Sequence, residues 1–207
     1  MATDLIGVNT GQVIDSVLEA DPEEVLLVNP SSEMIEMFVE TLSRRGDDRP
    51  VRLLAEERVL KDAMEDFILA SHAADLIEDG SLSMRSIALP QTALFVTPER
   101  VVSLVATGDT LGGLATDDDE FVDTVAAGYE DAWSDAEEFS LRTPSISRVR
   151  TTLEESIGPD ALEDFDSMLA SVETARGSGD DLDEVTISLL AAAKNEVLLY
   201  DISKWGE

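Results

Sequence analysis

Cysteine is absent from the 207 residues, which excludes disulfides, thiolate metal sites and cysteine nucleophiles. Histidine occurs once, as His72, and lysine three times, as Lys61, Lys194 and Lys204. No apolar run approaches the roughly 20 residues that a bilayer span requires. Residues 1–9 lack the basic and apolar regions of a secretory signal. No G-x-S-x-G, Walker-type, G-x-G-x-x-G or H-E-x-x-H sequence occurs, so the familiar catalytic and nucleotide-binding motifs are missing.

What is abundant is negative charge. Acidic residues number 45 against 14 basic ones, a formal net charge of -31. Disorder does not follow, because 43% of the chain is apolar and disorder needs low hydrophobicity as well as high charge. In dilute buffer such a surface repels itself; in molar salt the screening length falls to about 3 Å and the repulsion fades. The composition is that expected of a cytoplasmic protein of a salt-accumulating cell. At low salt it opposes nucleic-acid binding, which uses lysine and arginine to displace counterions. In molar salt that objection weakens, and a local neutral or basic surface can suffice.

The first two thirds predict an α/β domain, residues 1–143, with a mixed sheet flanked by helices. Residues 4–18 are expected to be helical. The run Val25-Leu26-Leu27-Val28 predicts a strand covered on both faces. It leads into Asn29-Pro30-Ser31-Ser32, where a serine can cap a helix carrying Ile35, Phe38, Val39 and Leu42 and ending at Gly46. Residues 51–55 predict a second strand. Leu60, Ala63, Met64, Phe67, Ile68 and Ser71 mark one longer helix running toward Gly80. Strands are expected at 84–89, 92–96 and 100–106, the last two joined at Thr97-Pro98-Glu99. Residues 107–120 read as a loop. A helix with Phe121, Val125, Tyr129, Ala132 and Trp133 on one face follows. Two β-α-β crossovers favour parallel pairing on one side of the sheet and the hairpin favours antiparallel pairing on the other.

From Ser145 onward only helices are expected. Residues 144–176 form a helical connector, interrupted at Gly158-Pro159-Asp160, whose stripe Leu162, Phe165, Leu169, Val172 can dimerise with its twin or pack on its own sheet. Gly177-Ser178-Gly179-Asp180-Asp181 is the best linker signal.

Candidate chemistry is sparse. His72 lies in a strong helical pattern without the convergent partners a catalytic site needs, and is expected to be structural. Asp117-Asp118-Asp119-Glu120 lacks the ligand alternation of a calcium loop and is expected to be a solvated helix cap, which the helix dipole favours. No metal or cofactor is expected. In open α/β sheets ligands gather at the carboxyl ends of parallel strands. Those ends carry Asn29, Ser31, Ser32, Glu56 and Arg58, a set suited to a polyol, sugar or phosphorylated metabolite. The competing role for Ser31 or Ser32 is plain helix capping.

Residues 183–197 and 198–207 resemble the first and second helices of a winged helix-turn-helix (182–207). Together with the acidic α/β body, and with segments 25–32 and 92–106, the chain is similar to the haloarchaeal transcriptional regulators called TbsP. The N-terminal part also resembles the phospholipase-D-like sensor fold of TrmB-type regulators. Its hydrolytic histidine-x-lysine signature is missing, since Ala73 and Ala74 follow His72. The resemblance implies a homodimeric, cytoplasmic regulator of sugar metabolism, in glycolytic and gluconeogenic control, acting on promoter DNA under a sugar or sugar-phosphate effector. It implies no enzyme and no membrane association. Lys194, Ser203 and Lys204 are the expected DNA contacts. Because the chain stops at Glu207, the recognition helix is expected to be missing, in a fragment or in a shortened relative. The alternatives are a small-molecule-binding dimerisation module without DNA binding, and an enzyme using carboxylates.

Overall fold

The computed structural model describes residues 3–6, 14–15, 17–18, 24–46, 50–88, 92–107 and 110–175. Among them the strands are β1 (Thr3–Ile6), β2 (Val25–Val28), β3 (Val51–Ala55), β4 (Leu82–Ser86), β5 (Leu94–Val96), β6 (Val101–Thr107), β7 (Thr110–Thr116) and β8 (Glu137–Glu138). The helices are α1 (Ser32–Arg45), α2 (Glu57–Ala63), α3 (Phe67–Glu78), α4 (Asp119–Asp135), α5 (Ile146–Ser156) and α6 (Pro159–Ala175).

The strands form one mixed sheet in the order β1-β7-β6-β5-β2-β3-β4-β8. Neighbours β2, β3 and β4 run parallel and every other pairing is antiparallel. The expected division into a parallel and an antiparallel side is therefore observed. Crossovers that step in one direction along the sheet are expected to share a hand, and α1, α2 and α3 do lie on the same face, contributing to one apolar cluster. Residues Val25–Val28 are buried throughout. Their alternation sends Val25 and Leu27 into a cluster with Ile35, Phe38 and Val39, and Leu26 and Val28 into a second cluster with Val122 and Trp133. A strand buried on both faces needs helices on both, and α4 supplies the second layer.

Local signals end the helices as expected. Ser31 Oγ accepts from the Met34 N–H at 3.3 Å and caps α1. Gly46, at φ 60, takes the left-handed conformation that closes the helix, its N–H donating to the Leu42 carbonyl. Asp118 caps α4 by accepting from the Phe121 N–H at 3.0 Å, the capping role expected of the acidic run.

Four expectations are corrected. Residues 4–18 are not one helix: Thr3–Ile6 pairs with β7 as an edge strand, while Ile14, Val17 and Leu18 are helical and buried in the first cluster. The free edge of β7 decides this, and it is not a local property. The helix expected from Leu60 onward is two helices, because Asp66 accepts from the Leu69 N–H at 2.8 Å and starts α3 anew. Thr110–Thr116 is a strand, although Gly112 and Gly113 weaken its propensity, because it is paired on both sides. Phe121 is 51% exposed; Val122 takes the inward position instead.

Replacing Asp66 by alanine removes the cap that separates α2 from α3. The expected cost is about 1 kcal/mol, or a melting temperature lower by roughly 2–4 °C for a chain of this size. Asp66→Asn should retain most of it; equal melting of the alanine variant and the parent in thermal denaturation would show that the cap is not stabilising.

Candidate functional site

The helical C-terminal region is docked on the sheet domain through α3. One turn of α3 presents Asp75 and Glu78, three residues apart and hence on one face. The Ser147 N–H donates to Asp75 Oδ1 at 3.2 Å, and Ser147 Oγ to Asp75 Oδ2 at 3.2 Å. Ser145 Oγ donates to Glu78 Oε2 at 2.8 Å while also accepting from the Arg148 N–H at 3.3 Å as the cap of α5. Two carboxylates of the sheet domain thus satisfy groups at the start of α5, where the helix dipole favours negative charge. Ser145 is itself buried, at 1% exposure.

Beneath these polar contacts lies a separate apolar cluster. Ile68 of α3 packs with Ile146 of α5 and with Phe165 and Leu169 of α6; Phe67, Val149 and Leu153 cover its margin. Among the described side chains of α6, the buried ones are Ala161, Phe165 and Leu169, at i, i+4 and i+8. Arg150 Nε donates to Asp166 Oδ1 at 2.8 Å, tying α5 to α6. Of the expected dimer stripe, Phe165 and Leu169 are occupied inside the chain, and Leu162 is partly exposed on the outer face of α6 beside Pro159, Glu163 and Ala170. Val172 also lies on α6.

Next to this junction, a cleft of about 510 Å³ opens between the end of α1, the second half of α3 and the first turn of α5. Leu42 and Leu76 form its apolar wall, and His72, half-buried, stands among the polar groups. Ser81, just before β4, also lines it.

The expected crevice is at the other end of the sheet. Register Val28↔Leu54 places Asn29 and Glu56 along the same edge. Asn29 has φ 46 and its N–H donates to the Leu54 carbonyl at 2.7 Å. Ser31 serves as the α1 cap, and Ser32 is the first residue of that helix. Glu56 precedes α2 without a side-chain capping bond. Arg58 pairs with Asp62 at 3.6 Å and its side chain is 88% exposed. The edge brings these residues together in sequence order, with Ser31 committed to capping. Lys194, Ser203 and Lys204 lie outside the described residues, as does the segment 182–207 that contains them.

Sequence inspection missed Asp75, Glu78, Ser145 and Ser147. The available signal was Ser145-Ile146-Ser147, a capping residue before a helical pattern. Nothing in the local sequence says that carboxylates from 67 and 72 positions upstream will meet it.

Comparisons with known proteins agree with this division. The family described as transcriptional regulator TbsP-like, N-terminal, matches residues 2–144, and the TbsP-like C-terminal HTH domain matches residues 145–207. The HTH match therefore takes in α5 and α6 along with residues 182–207. No curated protein matches the chain. Among solved structures, TrmBL2, described as an archaeal chromatin protein with a novel mode of DNA binding, is similar at 16% identity and TM-score 0.47, over 67% of this chain and 54% of its own. This chain thus spans about half the length of that protein. The phospholipase D family member Nuc from Salmonella typhimurium is similar at 9% identity and TM-score 0.48, over 67% of this chain and 99% of that one. NucT from Helicobacter pylori is similar at 12% identity and TM-score 0.47, with the same coverage. With both of its parts matched in order, the chain belongs to the TbsP-like transcriptional regulators, an α/β body followed by an HTH DNA-binding domain.

Proposed function

We propose that the protein is a homodimeric, non-enzymatic regulator of sugar metabolism in the cytoplasm of a haloarchaeon, binding promoter DNA under control of a small effector. The observation that carries the effector control is the docking of α5 and α6 on α3, through a buried cluster and the Asp75 and Glu78 contacts. A shift of α3 is thereby transmitted to the HTH domain, which is the differential contact that a change of population between two states requires. The net charge of -31 supports a high-salt interior. The sugar assignment rests on the family resemblance. Leu162 and its neighbours on α6 are the part of the expected dimer stripe left for a second copy, and of the expected effector contacts Asn29, Ser31, Ser32, Glu56 and Arg58 at the sheet edge, Ser31 is also engaged as the α1 cap. Lys194, Ser203 and Lys204 are the proposed contacts to DNA.

Selection from a random DNA library at molar potassium chloride tests the reading. Enrichment of an inverted repeat with half-sites about 10–10.5 base pairs apart, or a multiple, is expected of a dimeric HTH protein. Failure to enrich any sequence over the starting pool at both molar and 0.2 M salt would leave a binding module without DNA recognition.

A further inference from the structure

We infer that two copies of the chain pair across the open face of β6 and β7, with Leu114 of each seated over Gly112 of the other. The inference rests on the homodimeric reading above and names a face which that reading does not use. Register sets Val101, Ser103 and Val105 of β6 opposite Thr116, Leu114 and Gly112 of β7, so these six share one side of the sheet. On the reverse side Val102, Leu104 and Ala115 are buried in the first cluster. On this side the cover stops early. Val101 reaches the second cluster beneath α4, but Ser103 is half-buried, and Val105 and Leu114 are 49% and 59% exposed. Phe121, in the first turn of α4, is the other exposed large apolar side chain among the described residues. A single exposed apolar residue is ordinary, whereas a contiguous apolar face left bare beside a covered one marks an interaction surface.

Charge indicates the occupant. The chain carries a net charge of -31, so a partner of opposite sign is drawn to its acidic surface and not to a neutral face. Between Val101 and Thr116 the only charged residue is Asp109, and none stands at the six shared positions. A neutral apolar face suits a molecule as acidic as the chain itself, which the rest of the surface repels. Shape points the same way. Leu114 projects, while Gly112, two positions along the same strand, has no side chain. A Cβ built there would meet nothing nearer than the Val105 carbonyl oxygen, at 3.9 Å. A two-fold contact requires a knob and a hollow on one surface, because each copy supplies both halves of the fit. Antiparallel apposition of two β7 strands about Gly113 brings each Leu114 over the hollow at Gly112. Asp4, in register with Leu114, and the run Asp117 to Glu120 bring acids to the margin of the patch. Like charges then meet across the rim, and pairing tightens as salt screens them. The face is separate from α6, where Leu162 stands among Glu163 and Asp166.

Analytical ultracentrifugation of the full chain in molar potassium chloride, without DNA, reads the pairing directly. The parent is expected to sediment as a dimer that dissociates on dilution and as the salt is lowered. Leu114→Glu changes an exposed side chain, so the fold should survive, and two-fold symmetry counts the change twice in the interface. It should raise the dissociation constant at least about tenfold. Gly112→Val fills the hollow with a residue that strands favour. It should keep or raise the melting temperature while weakening the dimer, a combination that a purely structural role for Gly112 does not give. Circular dichroism checks that both variants are folded. The proposal is overturned if the parent is monomeric at every concentration in molar salt, or if both variants pair as the parent does. Loss of the dimer in Leu162→Glu alone would place the contact on α6 and overturn it equally. Flotation of the parent, but not of Leu114→Glu, with anionic phospholipid vesicles would give the face to a lipid surface instead. If Leu114→Glu weakens the dimer and Gly112→Val does not, the face stands and the seating over Gly112 falls. A chain that pairs in this way yet selects no DNA fails only as a regulator, and a monomer that selects a single half-site fails only here.

Discussion

Trp133→Ala is expected to lower the stability of the sheet domain by about 3–5 kcal/mol, in the range for removing a buried large aromatic side chain. Trp133 is 9% exposed and belongs to the cluster formed by Leu26, Val28, Leu54 and Val122. Its ring is also the meeting point of two arginines. The guanidinium carbons of Arg52, on β3, and Arg85, on β4, lie 5.2 Å and 5.0 Å from the ring centroid. Such contacts are favourable through the ring quadrupole. Arg52 is held further by ion pairs to Glu24 at 2.8 Å and Glu130 at 2.7 Å. Arg85 donates to the Trp133 backbone carbonyl at 2.7 Å. That bond matters because α4 has no basic residue in its last turn; a strand from across the interface supplies the cation that favours a helix carboxyl end. Truncation thus opens a cavity and removes the platform for two cations together. Thermal denaturation should show a loss of roughly 6–20 °C. Trp133→Phe should recover most of the packing. A change of under about 1 °C for the alanine variant would mean that α4 is not a stabilising layer of this sheet.

The second large effect concerns the domain junction. Phe165 is 4% exposed, in the small cluster that joins Ile68 to Ile146 and Leu169. Phe165→Ala should cost about 3–5 kcal/mol of local packing. This cluster is distinct from the two beneath the sheet, so the loss should fall on the junction and spare the α/β body. The expected calorimetric result is a low-temperature transition for the HTH domain preceding that of the body. DNA affinity should fall while the near-ultraviolet signal of Trp133 persists. A single transition displaced by less than about 1 °C would contradict the view that this cluster carries the docking. Comparison with Asp75→Ala separates the two layers of the junction: the polar contacts are part-exposed and are expected to contribute only about 1 kcal/mol.

Much of the α/β body was legible because its signals are local. Ser31, Gly46 and Asp118 mark helix ends through their own side chains or backbone conformation, and each does so here. The apolar run at 25–28 demanded cover on both faces and received it. Errors arose where a partner outweighed propensity. Thr3–Ile6 looks helical until β7 offers an open edge, and the two glycines of β7 look like a loop until β1 and β6 bracket them. The break at Asp66 is a different failure. Its capping signal was present in the sequence, but a continuous apolar face across residues 60–71 masked it, because α2 and α3 both turn toward the same core. The phenol of Tyr129, carried by α4 and packed against the second apolar cluster, is partly covered, and loss of solvent pushes it above its ordinary pKa.

The amino-acid sequence alone determined the elements whose causes lie within a few residues: the caps, the parallel β-α-β order, the excess of acid, and the family resemblance carried by segments along the chain. It could indicate a ligand edge at Asn29 and Glu56 from a general rule about parallel strands. Only tertiary structure decided that Asp75 and Glu78 would meet Ser147 and Ser145. The physical reason is range. A cap is satisfied by a neighbour on the chain, whereas a junction is built by side chains that the fold brings together, and no periodicity in either segment records the other.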